Sequence, residues 1–111
     1  MCFGSSYSAS LVLLLSKNNE KVKAVCCFSP GEYLKGITLH DSLNGFDKPL
    51  FITCAKNEIE QTGNLLDSIP TDDLIFFKPD FEGKHGSSAL WESTSNNQKY
   101  WERLLLFLEI L

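Results

Sequence analysis

The chain is poor in basic residues. Its 111 residues include ten Lys and Arg against 14 Asp and Glu, which gives a net charge of −4 at pH 7. Nucleic-acid-binding domains usually concentrate positive side chains, because these displace the counterions of the phosphates. We interpret Lys17, Lys21 and Lys23, which lie around a predicted strand, as a solvated rim. The composition therefore predicts that nucleic acid is not a partner.

Long apolar runs are also absent. A helix that crosses a bilayer needs about 20 mostly apolar residues, whereas the apolar run over residues 11–15 ends at Ser16. The N-terminus lacks the basic segment that begins a secretion signal. We therefore expect no membrane contact and, if the chain is complete, a cytoplasmic location. If the chain is a fragment, a signal peptide would be lost with the missing part, and the compartment stays open.

Cysteine occurs only four times, as Cys2, Cys26, Cys27 and Cys54, always beside apolar residues of predicted strands. This setting favours small buried side chains over a disulfide framework. Cys26 and Cys27 are adjacent, which is not the spacing of metal ligands, and neighbours on a strand point to opposite faces. We therefore expect no metal site and no cofactor.

Nearly continuous apolar runs predict strands that are covered on both faces, as in parallel sheets. They occupy residues 22–28, 49–55 and 73–78, and residues 1–3 resemble the stub of another strand. Helical patterns lie between and after them, at residues 7–18, 59–68 and 96–111. The alternation predicts one α/β domain over residues 1–111, with about three parallel strands and an N-terminal strand stub, all in chain order, and with flanking helices.

The last predicted helix has a clear apolar pattern. Residues at helical spacing predict its apolar face: Trp101, Leu104, Leu105, Leu108 and Leu111. Asn96 or Asn97 is the candidate N-cap. We interpret residues 31–48 and 79–95 mainly as loops, with a short helical turn in the first of them.

Three polar stretches directly follow predicted strands. Ser6 lies in Gly4-Ser5-Ser6-Tyr7-Ser8 after the stub, Glu58 follows residues 49–55, and His85 lies in Gly83-Lys84-His85-Gly86 after residues 73–78. Parallel strands bring their carboxyl ends to one edge of the sheet, where ligands bind. A serine between small residues at a strand-to-helix turn, then an acid and then a histidine, is a known chain order of catalytic triads. We predict Ser6 as nucleophile, His85 as base and Glu58 as the acid that orients the base.

Each of these residues also has a purely structural interpretation, which the sequence leaves open. Ser6 could belong to a serine-rich N-cap of the first helix, and His85 to an exposed loop. Glu58 could lie in a first helical turn, where the helix dipole favours an acid.

Other residues are weaker candidates. Ser5 and Ser8 lack small residues at both flanking positions, and His40 precedes the acid in the chain. Asp80 and Glu82 lie too close to His85 in sequence to orient its ring easily.

These stretches resemble the C-terminal half of an α/β-hydrolase, nearest to the dienelactone-hydrolase and small-esterase branch. The resemblance runs over nearly the whole chain and rests on residues 4–9, 22–30, 49–58 and 83–87. It implies a serine hydrolase that cleaves a small ester or similar acyl compound through an acyl-enzyme. Ser6, Glu58 and His85 take the roles given above, and the backbone N–H of Tyr7 is one oxyanion donor.

The resemblance also implies a partial α/β-hydrolase fold, because the family's sheet has more strands. The family takes its second oxyanion donor from a loop after an early strand, and no stretch here resembles that loop. We therefore expect weak or no turnover by this chain alone. The alternative is a non-catalytic truncated fragment or a half-domain that needs a partner chain. That partner would be the missing N-terminal half or a second copy, joined through the exposed edge of the strand stub.

Overall fold

A computed structural model describes residues 1–69 and 72–111 of the chain. Four strands of four residues each form one sheet: β1 (Cys2–Ser5), β2 (Val25–Phe28), β3 (Leu50–Thr53) and β4 (Leu74–Phe77). They lie in the order β1-β2-β3-β4, and every neighbouring pair is parallel. The predicted α/β class, strand order and strand direction are therefore confirmed. The expected stub is a strand as long as the other three.

Helices flank the sheet: α1 (Tyr7–Ser16), α2 (Leu39–Ser42), α3 (Ile59–Leu65) and α4 (Asn97–Ile110). Two 3₁₀ segments, Lys56–Glu58 and Gly86–Leu90, follow β3 and precede α4. The short helix α2 confirms the turn predicted within residues 31–48, whereas the segment Gly86–Leu90 lies where the sequence predicts mostly loop. In the described part of the chain, none of the helices combines the length and apolar character that crossing a bilayer requires.

The strand predicted over residues 22–28 begins later, at Val25. The Val22 N–H donates to the Asn19 carbonyl within a turn, at 3.0 Å. The Lys48 ammonium donates to the Val22 carbonyl, at 2.9 Å. A turn and a lysine side chain thus satisfy backbone groups that the apolar pattern assigns to the sheet.

The pleat of β2 separates two cores on opposite faces of the sheet. Cys27 packs with apolar side chains of α1, α2 and α3, whereas Cys26 packs with side chains of α4. Adjacent cysteines therefore point to opposite faces, as the sequence predicts. The sheet lies between two helical layers, and its four strands end at one common edge.

Helix α4 is rotated from the orientation that its apolar spacing predicts, and of the five predicted residues only Leu104 is buried. The buried residues are Tyr100, Leu104 and Phe107. The exposed residues include Trp101, Leu105, Leu108 and Leu111. Two contacts with the sheet region fix this rotation: the Phe107 ring lies 5.8 Å from that of Phe51, and the Tyr100 hydroxyl donates to the Cys54 carbonyl at 2.9 Å. Asn96 precedes α4 as expected, but its side chain makes no capping hydrogen bond.

Candidate active site

Ser6 lies at the sharp turn between β1 and α1, with φ 57° and ψ −121°. A positive φ is strained for a residue with a Cβ and costs on the order of 1–3 kcal/mol. Hydrogen bonds hold the turn on both sides. The Ser6 N–H donates to the Phe28 carbonyl (2.8 Å), while the Ser8 hydroxyl donates to the Ser5 carbonyl (2.8 Å) and accepts from the Ser5 N–H (2.9 Å). The turn therefore fixes Ser6 at the carboxyl edge of the sheet.

The turn is tight because α1 crosses close to β1. A Cβ on Gly4 would lie 2.6 Å from the Cα of Ala9 and 2.7 Å from the Ser8 carbonyl oxygen. Only glycine fits there without a shift of the helix. Ser8 occupies the position of the second glycine in the Gly-x-Ser-x-Gly motif. Its side chain is exposed, so a hydroxymethyl group fits and closes the turn.

The structure brings the three predicted site residues together. The Nε2 atom of His85 lies 2.8 Å from Ser6 Oγ, and its Nδ1 atom lies 2.5 Å from Glu58 Oε2. Glu58 ends the 3₁₀ segment after β3, and His85 lies in the loop after β4. Such a line of hydrogen bonds is able to move the serine proton to the imidazole while the carboxylate stabilises the imidazolium. The catalytic roles themselves stay a prediction.

The Glu58 carboxylate is held by three donors. Its Oε1 atom accepts from the Ala55 N–H (2.9 Å) and from the Ser29 hydroxyl (2.9 Å), and Oε2 faces the His85 ring. Burial raises the pKa of Glu58, but the hydrogen bonds from Ala55, His85 and Ser29 together outweigh burial and lower it below its ordinary value. The acid is therefore ionised at neutral pH. The His85 side chain is more open, at 50% exposed against 18% for Glu58.

Two glycines shape the loop that carries the predicted base. Gly83 and Gly86 both have a positive φ, at 68° and 70°. A Cβ on Gly83 would lie 2.0 Å from the Tyr100 hydroxyl oxygen, and one on Gly86 would lie 2.7 Å from Ser5 Oγ. The loop therefore packs against α4 on one side and against the serine turn on the other.

Ser29 is a site residue that the sequence reasoning missed. It follows β2, is 0% exposed and bonds to Glu58 through its hydroxyl. The same hydroxyl accepts from the Gly86 N–H, at 2.8 Å. The sequence did contain a sign of its role. Like Ser6, Glu58 and His85, Ser29 is a polar residue that follows a predicted strand.

His40, the other histidine, lies on α2, and its ring bonds to none of these three residues. Its Nε2 atom bonds to Asp67, and its Nδ1 atom bonds to Asp41 at 3.1 Å. The hydrogen bonds to Asp67 and Asp41 raise the pKa of His40. Because both ring nitrogens bond to carboxylates, neither is free to accept a proton from a serine, and His40 is a poor candidate for a base.

Tyr7 is the first residue of α1 and directly follows Ser6. The N–H of a first helical residue has no acceptor within its own helix, and helix N-termini favour negative charge. The N–H of the predicted oxyanion donor thus lies at the start of α1, next to Ser6, and its role stays a prediction.

A cavity of about 830 Å³ opens beside the acid and the histidine. Its lining comes from residues 55–58 and 82–85. Among residues 1–69 and 72–111, no group of His, Cys, Asp and Glu side chains is arranged to hold a metal ion.

No protein-family model and no curated protein matches the chain. A solved structure is similar in fold: the esterase domain of a protein from Rhodothermus marinus, with a TM-score of 0.64. The two sequences are 16% identical, and the likeness covers 93% of this chain and 56% of that chain. This chain therefore has a hydrolase-like α/β fold. It spans little more than half the length of the esterase-domain chain.

Proposed function

We propose that this chain is a serine hydrolase of the α/β-hydrolase superfamily, of the dienelactone-hydrolase and small-esterase kind, acting on a small ester or similar acyl compound. The observation that carries the proposal is the unbroken hydrogen-bonded line from Ser6 Oγ through His85 to Glu58. The strained backbone of Ser6 supports it, because such strain persists where the surroundings enforce it and clusters at active sites. The likeness in fold to an esterase domain agrees with it.

In the proposed reaction, Ser6 Oγ attacks the carbonyl carbon of the ester while its proton passes to His85 Nε2. Glu58 stabilises the resulting imidazolium through the Nδ1–H, and the Tyr7 N–H donates to the oxyanion. His85 then protonates the leaving alcohol, which departs and leaves an ester between the acyl group and Ser6. Water, deprotonated by His85, hydrolyses this acyl-enzyme and restores Ser6.

Tyr7 is the one oxyanion donor that we assign. Removal of one donor from such a site costs roughly 100- to 1,000-fold in rate. We therefore propose slow turnover for the isolated chain.

The test is hydrolysis of short-chain p-nitrophenyl esters by the folded chain. Two site variants remove the predicted nucleophile and base: Ser6→Ala and His85→Ala. Two control variants change the same residue types on α2: Ser42→Ala and His40→Ala. We expect slow turnover that both site variants abolish and both control variants retain. Turnover that survives Ser6→Ala, or no turnover by a chain with native circular dichroism, would contradict the proposal.

A second candidate is a half-domain that acts only with a partner, either a second copy or a chain that supplies further strands. The position of β1 favours it, because within the described ranges β1 is an edge strand that pairs with β2 alone. Met1 and Phe3 beside this edge are 61% and 46% exposed. Open edges of this kind promote pairing with another chain.

Concentration separates the two candidates. If copies pair at β1, turnover per chain should rise with concentration as dimers form in analytical ultracentrifugation. A monomer whose turnover per chain is constant would exclude pairing of copies. A monomer without turnover at any concentration would instead favour a different partner chain.

A further inference from the structure

We propose that Ser29 is a positioning residue for the Glu58–His85 pair, an inference that rests on the proposed function. Its hydroxyl donates to Glu58 Oε1 at 2.9 Å and accepts from the Gly86 N–H at 2.8 Å. One buried oxygen thus joins the acid that follows β3 to the backbone next to the histidine, in the loop after β4. Ser29 acts through these two residues and not on the substrate.

The backbone of Ser29 supports this role. Its φ is 57°, a conformation in which glycine is favoured because a Cβ is strained. The hydroxyl explains why serine and not glycine occupies this position, because it bonds to both Glu58 and Gly86. The Ser29 N–H also donates to the Thr53 carbonyl at 2.8 Å, so the residue is tied to β3 as well.

Because of the hydrogen bond from Ser29, the two carboxylate oxygens of Glu58 have different partners. Oε1 is occupied by Ser29 and Ala55, which leaves Oε2 for the Nδ1–H of His85. Without the Ser29 hydroxyl, the carboxylate loses one of its three donors, and the imidazole loses a partner of fixed orientation. Loss of a donor to the charged form also raises the pKa of a carboxyl group.

Titration of Glu58 can be distinguished from that of the other titratable groups around it. Burial raises the pKa of Cys54 to about 11 and that of Tyr100 to about 12, and burial also raises the pKa of Tyr33. These three groups therefore stay protonated through the acidic and neutral range. The further charged residues that line the cavity are Lys56, Glu82 and Lys84. Residue-resolved detection separates the carboxylate of Glu82 from that of Glu58.

Two variants remove the hydroxyl in different ways. Ser29→Ala keeps the Cβ, whereas Ser29→Gly also relieves the positive φ and therefore guards against a failure to fold. Ser10→Ala is the matched control, because Ser10 is also 0% exposed. Its hydroxyl likewise bridges two groups, donating to the Gly31 carbonyl (2.6 Å) and accepting from the Gly31 N–H (3.0 Å), but both of these belong to the backbone.

The deciding measurement is the NMR titration of the Glu58 carboxylate carbon, which requires no turnover. We expect both Ser29 variants to raise the pKa of Glu58 and Ser10→Ala to leave it unchanged. An unchanged Glu58 titration in the folded Ser29 variants, or an equal change in Ser10→Ala, would overturn the proposal.

Kinetics of p-nitrophenyl ester hydrolysis give the second readout. We expect the Ser29 variants to lower kcat about 10-fold, the size expected for one hydrogen bond to a charged group, with KM nearly unchanged. A rise in KM with kcat unchanged would contradict the positioning role. If the Glu58 titration shifts but no Ser6-dependent turnover exists, the role of Ser29 stands and the proposed function fails.

Discussion

A Cβ on Gly4 would lie 2.6 Å from the Cα of Ala9, so β1 and α1 are in backbone contact at the turn that holds the candidate nucleophile. Ala9 is 0% exposed and lies in the core that covers one face of the sheet. Helix α1 is therefore unable to move away from β1 without opening that core. The position of Ser6 depends on this contact.

Gly4→Ala should destabilise the fold by about 1–3 kcal/mol, the usual cost of overpacking, and should displace Ser6. The matched control is Gly63→Ala in α3, where the new Cβ would lie 3.8 Å from the nearest Phe76 atom. There we expect about 0.5–1 kcal/mol of stabilisation, because alanine loses less conformational freedom than glycine. Urea unfolding measures both values. Equal stability of Gly4→Ala and the wild type would contradict the close contact.

A second prediction concerns Gly83 and Tyr100. The Tyr100 hydroxyl is fixed by its hydrogen bond to the Cys54 carbonyl, and a Cβ on Gly83 would lie 2.0 Å from its oxygen. Tyr100→Phe leaves a buried carbonyl without its donor and should cost about 1–3 kcal/mol. Gly83→Ala should cost more, because it adds a clash to a strained φ.

The double variant tests the coupling of these two residues. Since phenylalanine lacks the oxygen that the new Cβ meets, Gly83→Ala with Tyr100→Phe should cost less than the sum of the single changes. Unfolding free energies of the four proteins provide the cycle. Additive losses of unfolding free energy would show that the loop of His85 does not pack against the Tyr100 hydroxyl.

The positions of Ser6, Glu58 and His85 could be predicted from the sequence because each follows a strand of a parallel sheet. The apolar runs defined those strands, and strand order then placed the three residues at one edge. The number of residues between the three segments did not affect this prediction, because parallel strands end at the same edge of the sheet whatever the length of the connections between them. What the sequence predicted was the neighbourhood of these residues, while the hydrogen-bond distances came from the structure.

The packing of α4 could not be predicted in the same way. Helix α4 is apolar on more than one face, and its spacing fits Trp101 and Leu105 as well as Tyr100 and Phe107. The structure selects the latter pair through contacts with Phe51 and with the Cys54 carbonyl, which are distant in sequence. Ser29 also directly follows a strand, so the sequence indicated its position, but only the structure shows its bonds to Glu58 and Gly86.

The pH dependence of stability provides a third prediction. Burial raises the pKa of Glu58, but its three hydrogen bonds outweigh burial, so the folded pKa lies below the ordinary value of 4.5. A carboxyl group with a lowered folded pKa stabilises the fold above its unfolded pKa, and this stabilisation is lost as the pH falls through the folded value. The free energy of unfolding should therefore fall more steeply below pH 4.5 in the wild type than in Glu58→Gln.

Urea unfolding at a series of pH values measures this difference. Glu20→Gln, on an exposed turn, is the control for the loss of one carboxylate from the surface. Parallel pH curves for the wild type and Glu58→Gln would contradict the hydrogen bonding described for Glu58.

The central claim is that Ser6 is a nucleophile activated by His85. It is tested most directly by labelling the folded chain with a fluorophosphonate probe and mapping the label by mass spectrometry, because labelling needs an activated serine and little else of the active site. We predict that the label lies on Ser6, that His85→Ala abolishes it and that His40→Ala keeps it at the wild-type rate. A label on Ser5 or Ser8, or a label on Ser6 that forms equally fast in His85→Ala, would contradict the account.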